Sequence, residues 1–351
     1  MKKEIVWMDY ARYIGIFLVI FGHSLQRFSW DECSFVKTLW DYIYLFHMPL
    51  FFIISGYLYD NRAVNVANIR FGGGKILRSL IVPYLLYQIV FLPISLYTSH
   101  GLTDIVVWKK MFMGILMGDG YDTPYSYYVC LPCWFIVSII QIRWLFLIVP
   151  INKFSSSLLS ITSIGLLVYL NKHNIDLYFC LDSTMMAIPY FLIGHYLRYS
   201  VCLENRNNRF LLILATISAI CVGVILKWNG AAQMNGPGYG VNIFCNYMAG
   251  IAGTISVCSL SKIAASYLNN KNYIRTISRN TLFLIFFHWL LLAVCGFIIN
   301  KIFRNIYTDG TCIIVSSLIL SQIILFVSWK VISYGACRFP VLFGKQKKLK
   351  K

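Results

Sequence analysis

The chain has 351 residues, of which 58% are hydrophobic and 13% charged, where a soluble domain carries about 25% charged residues. That balance excludes an ordinary water-soluble enzyme and makes lipid the solvent of the outer surface. The formal charge of +18 does not indicate nucleic acid, because the basic residues punctuate apolar stretches instead of gathering on a soluble domain.

Ten apolar segments follow in chain order, near 7–27, 39–58, 77–97, 131–150, 156–171, 184–200, 210–227, 241–260, 281–300 and 311–330. About 20 residues cross roughly 30 Å of hydrocarbon, and about 17 is the lower range; the segment 156–171 is marginal. Lys2 and Lys3 precede the first, but Asp9 and Arg12 interrupt it and no small-residue cleavage site follows. The first helix is therefore expected to stay as a signal anchor. Residues 105–117 are apolar but short, and read as an interfacial or re-entrant piece. The longest connections, 98–130 and 228–240, fall outside, and the Gly- and Asn-rich second one reads as a mobile loop.

The positive-inside rule orients the set. With the N-terminus in the cytoplasm, 23 of the 31 Lys and Arg fall inside, while 9 of the 13 acidic residues fall outside. The expected fold class is an all-α polytopic integral membrane protein with about ten transmembrane helices and both termini cytoplasmic. It is organised as one transmembrane domain, 1–338, and a basic tail, 339–351, lying against anionic lipid. The expected location is the cell membrane, inner or plasma, in multi-pass form. No internal repeat is evident, which weighs against a secondary transporter.

Eleven cysteines are scattered, mostly within spans, where Cys behaves as a small apolar side chain. Cys130 and Cys133 form CLPC at a span end, but no further ligands stand at matched spacing, so no metal is expected. An extracytoplasmic disulfide among Cys33, Cys130, Cys133, Cys180 and Cys312 stays open.

Ionisable residues inside a membrane helix are costly, about 2.5–3.5 kcal/mol on insertion scales, and mark function by default. Arg12 and His23 stand eleven positions apart in MDYARYIGIFLVIFGHSLQ. Eleven residues make roughly three turns, so both share one face about 16 Å apart along the axis. His47 opens FHMPLFFIISGYLY, where Pro49 removes a backbone donor and kinks the span beside it. His288 enters in ISRNTLFLIFFHW. One such histidine alone reads equally as an interhelical contact; three together with Arg12 predict a shared polar cavity. Histidine suits proton acceptance at neutral pH. Ser55-Gly56 lacks a GxSxG context and reads as a close helix contact. GGGK at 72–75 is not a Walker A loop, since no Ser or Thr follows Lys75. It does set Arg70, Lys75 and Arg78 on a flexible cytoplasmic backbone. Plain positive-inside topology accounts for that charge, and so does a phosphate-rich ligand such as coenzyme A.

Arg12-x10-His23 resembles the Arg/Lys-x10-His signature of the membrane acyltransferase-3 family. MDYARYIGIFLVIFGHS is similar to the opening of its fucose 4-O-acetylase-like members, which more often carry Lys at the Arg12 position. FHMPLFFIISGYLY resembles their second-span motif, and KILRSLIVPY the basic segment before span three. PCWFI, IPYFLIGHYL and ISRNTLFLIFFH add weaker matches in the same order.

The resemblance implies an O-acetyltransferase that moves acetyl from cytoplasmic acetyl-CoA to a sugar hydroxyl. The acceptor class is polysaccharide, lipopolysaccharide or a lipid-linked glycan. His23 is then the base, with His47 and His288 as alternates, and Arg12, Arg70, Lys75 and Arg78 meet the donor phosphates. Larger members append an extracytoplasmic domain that receives acetyl. None follows here, so the chain is expected to complete transfer itself or to hand acetyl to a separate protein. A glycan or lipid flippase, or a non-catalytic partner of a polysaccharide machine, are the competing readings; neither needs His23 or a donor site.

Overall fold

The computed structural model describes residues 5–28, 33–61, 63–99, 103–118, 122–123, 125–199, 207–235, 238–268, 272–302 and 309–345. Among them the chain is helical and forms no strand. The helices are α1 (Val6–Leu25), α2 (Ser34–Tyr44), α3 (His47–Tyr57), α4 (Val66–Ile76), α5 (Val82–Thr98), α6 (Ile105–Met117) and α7 (Trp134–Ile148). They continue as α8 (Lys153–His173), α9 (Leu181–Leu197), α10 (Asn208–Asn229), α11 (Ile243–Tyr267), α12 (Asn272–Ser278), α13 (Thr281–Ile302) and α14 (Gly310–Arg338). A helix, or two in succession, stands at each of the ten expected segments. Among the described residues, seven are long and apolar enough to cross a membrane: Ser34–Tyr57, Val66–Thr98, Leu131–Ile148, Lys153–His173, Asn208–Asn229, Ile243–Tyr267 and Gly310–Arg338. Lys2, Lys3, Glu4, Arg62, Glu204, Arg206, Lys271 and residues 346–351, which enter the charge alternation, lie outside the described residues.

The chain divides into two compact units. The first comprises Met1–Leu58, Ile193–Gln233 and Gly238–Ser333. Within it α1 is the hub, packed against α2, α3, α11, α12 and α13. Met8 and Ala11 of α1 join Leu50 and Ile54 of α3, Val222 of α10 and Ala249 and Val257 of α11 in one buried cluster. The break between α2 and α3 falls at Leu45–Phe46. Pro49 lacks the N–H that would bond the Leu45 carbonyl, so an unbroken helix would leave that group unmatched. α12 and α13 meet at an 88° bend. Buried Asp9 of α1 fastens that elbow, accepting from the Ser278 hydroxyl at 3.1 Å with Arg279 at 3.5 Å. The loop after α10, expected to be mobile, is tied at its base: Asn229 accepts from the amides of Asn242 at 2.6 Å and Val241 at 2.9 Å.

The second unit comprises Tyr59–Leu192, Met234–Pro237 and Tyr334–Lys351. Here the structure corrects the reading of GGGK. Residues 72–75 are not a flexible loop; they lie inside α4, which runs through a π-helical turn at Leu77–Ile81 into α5 as 33 continuous helical residues. The cause is packing on α7. A Cβ on Gly72 would stand 2.4 Å from Leu147, and one on Gly73 2.8 Å from Trp144. Small residues let two helix backbones approach, which offsets the roughly 1 kcal/mol that each helical glycine costs.

Residues 156–171, marginal in sequence, belong to a longer helix. The Asn152–Ser155 capping box starts α8 earlier, and Asn174, at φ 51°, ends it after 21 residues. The apolar stretch 105–117 is α6, opened by the Asp104 side chain accepting from the Val106 amide at 2.8 Å. The basic tail does not begin as a free strand of chain either: Pro340–Phe343 forms a 3-10 turn, Phe343 is buried, and the Tyr87 hydroxyl donates to the Leu342 carbonyl.

Candidate active site

α1 is unbroken from Val6 to Leu25, so the spacing of Arg12 and His23 keeps its helical meaning. Arg12 is half-buried in the first turns and His23 is buried in the last. His23, His47 and His288 are 8%, 3% and 0% exposed, which sets all three apart from ordinary surface histidines.

The structure brings these three together. The rings of His23 and His288 have centroids 5.5 Å apart. Tyr44, at the end of α2, joins His23 to His47: its hydroxyl is 3.1 Å from His23 Nδ1, and its ring is 4.5 Å from that of His47. Two features place Tyr44. Trp40, one turn earlier, stacks on it at 3.7 Å. Gly22 of α1 leaves the space its ring occupies, since a Cβ there would lie 2.9 Å from the ring edge. Trp289 turns its edge to His23 at 5.2 Å, and the Arg27 guanidinium lies 4.9 Å above the Trp289 ring.

The hydrogen bonds define the protons. His47 Nδ1 is 3.0 Å from the Ile43 carbonyl and His288 Nδ1 is 2.6 Å from the Leu284 carbonyl. A carbonyl only accepts, so each Nδ1 donates, and each neutral ring keeps a lone pair on Nε2. His288 Nε2 is buried without a hydrogen-bond partner among the described residues. An unprotonated imidazole nitrogen can accept a hydroxyl proton.

Arg70, Lys75 and Arg78 belong to the second unit. All three are exposed on α4 and the π turn that follows it, with Arg78 Nε donating to the Gly74 carbonyl at 3.0 Å. Among the described residues no three His, Cys, Asp or Glu side chains converge as a metal-ion site. Cys33, Cys130, Cys133, Cys180 and Cys312 are all thiols here, so none of the disulfides left open by the sequence is formed.

A family model, acyltransferase 3, described as an acyltransferase domain, matches residues 5–329. The chain belongs to the acyltransferase 3 family. Two curated proteins named nodulation protein NolL share short stretches with it. One, from Mesorhizobium japonicum, is 37% identical over 104 residues, 28% of either chain. The other, from Sinorhizobium fredii, is 32% identical over 84 residues, 23% of either chain. This chain thus spans only about a quarter of those relatives' length. No solved structure matches.

Within this acyltransferase 3 chain, sequence reasoning singled out the three histidines and missed the groups that hold them. Gln26 and Tyr44 carry no charge, and Tyr44 is one of 24 tyrosines. The available signal was its place three residues before His47, on the same stretch of chain. Asp9, three residues before Arg12, was seen only as an interruption of the span; it is the tie that fixes the α12–α13 elbow.

Proposed function

We propose that the protein is a multi-pass cell-membrane O-acetyltransferase with ten spans and both termini in the cytoplasm. It takes acetyl from cytoplasmic acetyl-CoA and places it on a sugar hydroxyl of a cell-surface glycan or glycolipid, in the manner of fucose 4-O-acetylase-like enzymes. The observation that carries this reading is the convergence of His23, His47 and His288 around Tyr44 in a chain of the acyltransferase 3 family.

The chemistry follows from the groups present. A sugar hydroxyl is a weak nucleophile at neutral pH and gains from a base within hydrogen-bond reach. His23 takes the hydroxyl proton as the oxygen attacks the thioester carbonyl. The C–O bond forms, the C–S bond breaks, and the coenzyme A thiolate leaves and collects a proton. His288, with its Nε2 lone pair beside His23, and His47 serve as alternate bases. Arg12 meets the donor's phosphates from α1. Arg70, Lys75 and Arg78 are separate candidate phosphate contacts, as positive-inside topology places them on the donor's side.

The test uses membranes containing the full chain, supplied with acetyl-CoA labelled in the acetyl group. Label recovered as a base-labile ester on extracted glycan or glycolipid supports the reading. Glycan that moves across the membrane unlabelled, with acetyl-CoA unconsumed, overturns it in favour of a flippase.

A further inference from the structure

The catalytic use of His23 depends on which ring nitrogen holds the proton. Its Nδ1 faces two groups: Gln26 Oε1 at 2.9 Å and the Tyr44 hydroxyl at 3.1 Å. These are not equivalent. A phenol hydroxyl donates or accepts; an amide oxygen only accepts. Without Gln26 the Tyr44 O–H would donate to Nδ1, and the ring proton would move to Nε2. An Nε2–H cannot take a proton from a substrate. With the Gln26 oxygen in place, Nδ1 carries the proton and Tyr44 is left as a second, weaker acceptor.

We propose that Gln26 is a positioning residue: its amide oxygen holds His23 as the Nδ1–H tautomer and keeps Nε2 free as the proton acceptor. Gln26 lies three residues after His23, at the C-terminal cap of α1, so it reaches the ring from the same helix end. His47 and His288 are fixed in the same sense by the carbonyls of Ile43 and Leu284. All three imidazoles therefore spend Nδ1 on the protein. A side-chain acceptor is needed only at His23, which makes Gln26 the one of these three acceptors that a side-chain substitution can remove. The inference rests on His23 being the base.

The experiment is nitrogen NMR of the full chain in lipid nanodiscs with 15N-histidine, the His23 signals being those lost in His23→Asn. The expected wild-type result is a protonated Nδ1 and a pyridine-type Nε2. In Gln26→Ala the proton moves to Nε2, and kcat for acetyl transfer falls at least about tenfold while KM for acetyl-CoA stays; a triad histidine held in the wrong tautomer loses about 10⁴-fold. Gln26→Glu keeps an acceptor, so the wild-type tautomer is retained and kcat recovers relative to Gln26→Ala. It also carries the test if the alanine variant fails to fold. A protonated Nε2 in the wild type, or a tautomer that does not change in Gln26→Ala, overturns the proposal. The NMR result is independent of turnover, so a tautomer as expected with full transfer in His23→Ala would refute the base reading alone.

Discussion

At the scale of single residues the site is a contest over protons and charge. Arg12 sits on the same unbroken helix as His23, eleven residues before it, so the proposed donor contact and the proposed base stand apart along one helix. Arg12→Ala is expected to weaken acetyl-CoA binding about tenfold or more, the loss of one charge-assisted contact at about 1.5–3 kcal/mol. Arg12→Lys is expected to be milder, since the charge remains and only the guanidinium fork is lost. Equilibrium binding of acetyl-CoA to purified protein measures both; an unchanged affinity in Arg12→Ala removes the residue from the donor site. With His23 as the proposed base, His47→Ala and His288→Ala are expected to lower transfer less than His23→Ala does. The histidines were legible in the sequence because an ionisable group in an apolar helix is conspicuous. Their partners were not. Tyr44 and Trp40 are ordinary aromatics in a chain that is 17% aromatic, and nothing local says that Gly22, on another helix, clears a seat for Tyr44.

At the scale of elements, the glycine run is the clearest difference between sequence and structure. Three glycines before a lysine favour a loop by intrinsic propensity. The partners that make them helical, Trp144 and Leu147, lie some seventy positions away in sequence, beyond the reach of local pattern. Gly73→Leu is therefore expected to lower stability by about 1–3 kcal/mol through overpacking against Trp144. Gly74→Ala meets only the Arg78 guanidinium at 3.3 Å and is expected to be neutral, or stabilising by up to about 1 kcal/mol. Thermal unfolding in detergent checks the pair, and equal melting of Gly73→Leu and wild type would contradict the close α4–α7 contact. The consequence for function is that Arg70, Lys75 and Arg78 are carried on a continuous helix. A donor contact there would use preset side-chain positions and would need no folding of a loop around phosphate.

At the scale of the whole molecule, the positions of the helices were legible and their membrane crossings less so. Periodicity and length located all ten apolar segments, yet among the described residues α1 and α9 fall outside the seven helices both long and apolar enough to cross, and α13 enters only as part of a bent pair. Polarity explains the case of α1, which carries Asp9, Arg12 and His23 along an otherwise apolar helix; the α12–α13 elbow is bent where Ser278 and Arg279 meet Asp9. The orientation is open to direct labelling. In a background without native cysteines, Asn65→Cys is expected to react from the cytoplasm and Asn174→Cys from outside; reaction of both from one side would exclude the ten-span topology. The decisive measurement is the rate of acetyl transfer from acetyl-CoA to extracted glycan by folded His23→Ala protein against wild type. General-base catalysis contributes about 10²–10⁴-fold, so the variant should retain acetyl-CoA binding and lose at least about a hundredfold in rate. A folded His23→Ala protein that transfers acetyl at a near-normal rate would contradict the mechanism.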